Sequence, residues 1–218
     1  MAEKAIPTSL TLENYWEKRD IFMKMNKSGS VPFLVKKATE SEINSGNSNL
    51  LLSGVNAILE YLEDKHDSNL LIFGNPEEKA EIRRMIDWVN IKFYQEVVMH
   101  ALHEKIINFF KNQEMPDPIL INISSQNLLV HIDYFGYLLS KRGWIASHKI
   151  SMADFALASH ISVLDYLGMI NWGKMTSGNK EFFKDWYRII KSRPSFRALL
   201  QDGVAGFNPA NCYRDLDF

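Results

Sequence analysis

The sequence predicts an α+β protein of two domains, with β and α elements mixed over residues 1–74 and helices alone over residues 75–218. Three observations carry this. Short β-rich runs alternate with helical ones as far as Phe73-Gly74-Asn75-Pro76. Beyond Pro76 the apolar residues recur at three and four positions, the helical period, with no strand-like alternation. Ser151 and Asp154, three apart, have the form of a capping box, with Asp in place of the usual Glu, and open a helix that carries little polar surface on any side. Strands first and helices afterwards is the order expected of α+β architecture.

Taken in order, residues 7–13 are β-rich and alternating, and read as a short strand. Residues 15–25, with Trp16, Phe22 and Met25 among charges, read as a short amphipathic helix or turn. After a turn cluster at 26–30, Val31 to Val35 opens a second strand, with Pro32 at its beginning because proline cannot donate to a ladder. The polar stretch 36–49 reads as an exposed loop, Leu50, Leu51 and Leu52 as a third strand, and Ser53 as the N-cap of a helix carrying Val55, Ile58, Leu59 and Leu62 on one face. Pro76, followed by Glu77 and Glu78 near the positive end of a helix, opens the first long helix, whose apolar positions run from Ile82 to Phe109. A second spans about 119–141 and is stopped by Gly143, the capped helix is third, and 180–192 is fourth, closed before Pro194. Residues 195–201 add another turn or two, and 202–218 form an irregular tail.

Composition narrows the function. Apolar residues make up 46% of 218, enough to bury a core, and a net charge of −1 gives no footing for nucleic acid or an anionic membrane. The capped helix is interrupted by Asp154, His160 and Asp165 and is too short to span a bilayer. A single cysteine, Cys212, excludes an internal disulfide, and charges stand where a signal peptide needs an apolar run. The expected compartment is the cytoplasm. No catalytic or metal site is read from the residues: His100 and His103 lack a third ligand, G-x-S-x-G and a glycine-rich phosphate loop do not occur, and Cys212 lacks a helix start to acidify it.

Three stretches in the right order resemble the cytosolic glutathione S-transferase superfamily: Asn26-Lys27-Ser28-Gly29-Ser30-Val31-Pro32-Phe33-Leu34, the helix over 53–62, and Ser151-Met152-Ala153-Asp154. The resemblance implies a thioredoxin-like domain followed by an all-helical one, a cis bond before Pro32, homodimers, and glutathione as ligand with Val31, Pro32 and Ser53 beside it. It also implies a departure. Residues 1–7 are similar to the end of the family's first helix, so the first strand and the Ser, Tyr or Cys that acts on the glutathione thiol have no counterpart. The N-terminal domain is therefore expected to be incomplete, through a shortened chain or a lost element, with unpaired backbone and an exposed apolar face. Leu52 stands where the family carries an acid or amide, which leaves Ser53 either a helix cap alone or a contact to a ligand carboxylate.

Toward the C-terminus, Asp165-Tyr166-Leu167-Gly168, Trp186-Tyr187-Arg188, Lys191-Ser192-Arg193-Pro194-Ser195-Phe196-Arg197 and Tyr213-Arg214-Asp215-Leu216-Asp217-Phe218 are similar to a subgroup typified by FtsZ-localised protein A. In that subgroup a transferase fold binds the tubulin-like division protein FtsZ. The resemblance implies an adaptor in bacterial cell division, the alternative being a transferase that conjugates glutathione to small electrophiles. Asp215, Leu216, Asp217 and Phe218 are then either a linear motif captured by a partner or a tail folded back over the core with its acids in water. Lys191, Arg193 and Arg197, around Pro194, are either a surface for an acidic partner or charges that are solvated or pair with nearby acids.

Overall fold

A computed structural model describes residues 1–112 and 115–218. The chain divides into two compact units, Met1–Leu70 and Leu71–Phe218. The division falls before Gly74 because Leu71 and Ile72 are buried and the Leu71 carbonyl accepts the Met152 amide of the helical unit.

In the first unit, helix α1 (Asp20–Met25) precedes strand β1 (Phe33–Lys36), helix α2 (Glu40–Asn44), strand β2 (Leu50–Ser53) and helix α3 (Val55–Lys65). The two strands pair antiparallel, with Phe33 opposite Ser53 and Val35 opposite Leu51. Phe22, Ile58 and Leu62 form the small core, and Phe22 meets Phe33 edge-on at 6.1 Å. The Lys4 ammonium lies 2.8 Å from Glu63 and donates to the carbonyls of His66 and Ser68, tying the chain start to the end of α3 through a buried ion pair. On the sheet, Val35 and Leu51 leave one cross-strand apolar pair exposed.

Three expectations are corrected here. Residues 7–13 form no strand: Leu10 and Leu12 are 88% exposed, so their alternation buries nothing, and a strand without a neighbour has no ladder to hold it. The loop over 36–49 contains α2, because Thr39 and Glu42 form a capping box that alternation and polarity do not reveal. Glu42 also pairs with Lys36, and that bond with those from Thr39 pulls its carboxyl down to about 2. Ser53 does not cap α3. It ends β2, and Gly54 takes the cap position at φ 95°, a left-handed turn that glycine adopts without a Cβ penalty.

The second unit is helical. Helix α4 covers residues 76–112, capped by the Asn75–Glu78 box and widened into π-turns over Trp88–Val98 and His103–Ile107. Helix α5 (Pro118–Arg142) starts where Asp117 accepts the Ile119 amide and stops at Gly143, φ 79°. Helix α6 (Met152–Tyr166), helix α7 (Asn179–Ser192) and the short α8 (Pro194–Arg197) follow. Ile82, Val89 and Phe93 of α4, Ile132 and Phe135 of α5, Leu157 and Ile161 of α6, and Phe183 of α7 are wholly buried together in the core. Among the described residues, no helix is long and apolar enough to cross a membrane.

Helices α5 and α7 approach closely at Gly136, where an added Cβ would sit 1.9 Å from the Asn179 carbonyl oxygen. That atom is backbone and cannot rotate away. Gly136→Ala is expected to lower the unfolding free energy by about 2 kcal/mol or more through overpacking, measured by urea denaturation. A loss below about 0.5 kcal/mol would show that the two helices slide apart freely.

Candidate functional site

Helix α6 buries two carboxylates completely, Asp154 at its start and Asp165 near its end. Asp154 reaches back to the amide and hydroxyl of Ser151, both at 2.9 Å, and its other oxygen accepts the Ile145 amide and the Trp186 indole N–H, both at 3.0 Å. The capping box is therefore also the bolt between α6, the loop before it and α7. Burial pushes the Asp154 carboxyl up, and the four donors oppose that shift.

Asp165 faces α7 and the tail. One oxygen accepts the Trp172 indole N–H at 2.7 Å, and the other accepts the Lys191 ammonium at 3.2 Å and the Tyr187 hydroxyl at 3.4 Å. The Cys212 thiol lies 3.6 Å away, and burial together with this carboxylate pushes that thiol up, away from the reactive thiolate. Burial lowers the Lys191 ammonium while Asp165 holds it charged.

Lys191 also donates to the Cys212 carbonyl at 2.9 Å, and its ammonium stands 4.1 Å from the centre of the Phe218 ring. The C-terminus is folded onto the helical unit. Phe218 and Leu216 are half-buried, while Asp215 and Asp217 are exposed, and Asp217 meets Arg188 at 3.2 Å. Upstream, the Tyr213 hydroxyl lies 3.3 Å from that of Ser162, and the Ala210 amide binds the Tyr166 carbonyl.

In the basic cluster, pairing with a nearby acid holds for Lys191. Lys191 is fully buried and belongs to Asp165. Arg193 is half-buried over the Phe155 ring, and Arg197 is exposed. The ion pair carried a sequence signal that residue type obscured: Lys191 falls in phase with Phe183, Tyr187 and Ile190, and Asp165 in phase with Leu157, Ala158 and Ile161. A charge on each of two apolar stripes is a pattern for a buried pair.

In the first unit, the Val31-Pro32 bond is cis, as expected. Pairing of Phe33 with Ser53 brings Val31, Pro32 and Ser53 to one end of the hairpin, and all three are exposed. Exposed backbone beside an exposed hydroxyl can receive a carboxylate or peptide group. Among the described residues, no group of three or more His, Cys, Asp or Glu is placed to hold a metal ion.

Two histidines are core groups. The Trp88 indole N–H donates to His131 Nδ1 at 3.4 Å, so Nε2 carries the proton and donates to Glu96 at 2.8 Å. His160 Nε2 lies 3.2 Å from Asn90 Oδ1 between the rings of Phe93 and Tyr94, and burial pulls its imidazole down to about 4.

A hairpin unit with a cis-proline at the start of β1, followed by an all-helical unit with a buried capping box, defines the glutathione S-transferase fold. No family model matches the chain. A glutathione S-transferase structure from Rhodospirillum rubrum F11 is 32% identical, with TM-score 0.88 over 100% of this chain and 91% of that one. FtsZ-localized protein A of Caulobacter vibrioides is 36% identical over 218 residues, 100% of this chain and 90% of the relative. The structure of FzlA from C. crescentus superposes with TM-score 0.91 at 36% identity, over 100% of this chain and 91% of that one. The chain belongs to the glutathione S-transferase superfamily and, within it, to the family of FtsZ-localized protein A.

Lys191→Met alone is expected to cost about 3–5 kcal/mol in urea denaturation, because it strands a buried carboxylate. Adding Asp165→Asn recovers part of that loss, and strict additivity of the two would show no coupling. The imidazole of His160 is held below its unfolded value of about 6.5, so the unfolded chain binds more protons between those values. Stability therefore falls as pH drops from about 6.5 toward about 4. The decrease measured between pH 7 and pH 5 should be smaller in His160→Asn than in the parent, and equal decreases would remove His160 as its source.

Proposed function

We propose that this chain is a binding protein of bacterial cell division that uses a transferase fold to engage FtsZ filaments in the cytoplasm. The observation that carries the reading is 36% identity along its whole length to FtsZ-localized protein A. The proposed contacts are the exposed acids Asp215 and Asp217, set in place by Leu216 and Phe218, with Arg193 and Arg197 as a basic edge. Exposed groups of both signs suit a polar, salt-sensitive contact that steers encounter. The proposed working form is a homodimer.

A second reading is glutathione conjugation. It is favoured by the 32% identity to the Rhodospirillum rubrum transferase and by the gathering of Val31, Pro32 and Ser53 at one sheet end, where glutathione would bind.

Sedimentation of GTP-assembled FtsZ separates them. The chain is expected in the pellet only when filaments are present, with Arg197→Glu weakening retention about tenfold. Full retention in the supernatant beside pelleted filaments sinks the adaptor reading. Conjugation of an electrophile above the uncatalysed rate, lost in Ser53→Ala, supports the second.

A further inference from the structure

The C-terminal tail rests on a surface whose chemistry matches it residue by residue. Trp172 stacks on Tyr187 at 5.1 Å and 10°, and on Phe183 at 6.2 Å and 13°, making an aromatic platform. Asp165 fixes that platform by bonds to the Trp172 indole and the Tyr187 hydroxyl. Phe218 lies on it, 4.6 Å from Trp172 and 5.8 Å from Tyr187, with Lys191 4.1 Å and Lys184 5.9 Å from its ring centre. Lys184, Arg188 and Lys191 follow at four and three positions on α7, a cationic stripe facing a segment that contributes Asp215 and Asp217.

The platform is held by buried hydrogen bonds, and the segment on it is not anchored in the same way. Up to Tyr213 the tail is held by buried groups, including the Lys191 bond to the Cys212 carbonyl. Beyond Arg214, Asp217 is 89% exposed and its partner Arg188 is 41% exposed, so this pair contributes little. What remains is a half-buried aromatic over a cation, an arrangement that a separate peptide can reproduce.

We propose that Trp172, Lys184, Tyr187, Arg188 and Lys191 form a binding site for an acidic peptide carrying an aromatic residue, occupied within the chain by its own residues 215–218. A partner segment with this chemistry binds by displacing them. The inference rests on the packing of the tail and not on the choice of FtsZ as partner.

The test uses the full-length chain carrying Phe218→Ala, which empties the platform while keeping every upstream anchor, with folding checked by circular dichroism. Labelled peptide Asp-Leu-Asp-Phe with a free carboxylate is titrated in fluorescence anisotropy. Saturable one-to-one binding is expected for the variant, about tenfold or more tighter than for the parent chain, whose own tail competes. Ending the peptide in alanine should abolish it, whereas adding the surface substitution Arg188→Glu should weaken it only about twofold to fivefold. No saturation with folded Phe218→Ala, equal affinity for parent and variant, or equal binding of the alanine-ended peptide would each overturn the proposal.

Discussion

A carboxylate taken out of water must find partners or cost several kcal/mol, and α6 carries two such groups with no side-chain exposure. The helical unit is arranged around satisfying them. Asp154 gathers Ile145, Ser151 and Trp186, and Asp165 gathers Trp172, Tyr187 and Lys191. Helix α7 contributes to both, Trp186 to the first and Tyr187 with Lys191 to the second, so its rotation about its axis is set at two points. Apolar packing alone tolerates sliding, whereas two hydrogen-bonded carboxylates do not.

The second carboxylate also places the tail. Its ion pair puts an ammonium under an aromatic ring at the C-terminus, so a buried electrostatic requirement ends in a surface feature. The fold and the candidate interaction surface are in this respect one construction. The sheet of the first unit is built differently, from backbone geometry: a cis-proline and a positive-φ glycine flank the paired strands and leave Ser53 exposed at their end.

Family membership separates fold from activity. The transferase architecture is shared with proteins named as enzymes and with one named for its location on FtsZ, at nearly equal identity. Architecture therefore does not choose between them, and function has to be argued from particular surfaces.

The sequence by itself determined the helical half well. Periodicity at three and four positions, Asn75, Pro76 and Gly143 as boundaries, and the Ser151–Asp154 spacing are local signals that need no partner to be read. It also carried the Thr39–Glu42 box and the Gly54 turn, which polarity and a plausible serine cap obscured. What only the tertiary structure decided are pairings between distant residues: whether residues 7–13 find a strand to pair with, which acid Lys191 meets 26 positions away, and whether Phe218 faces solvent or the stacked rings of α7. Local pattern sets what a helix is. The partner of a buried charge depends on which faces meet when the helices pack, and that information does not reside in any one segment.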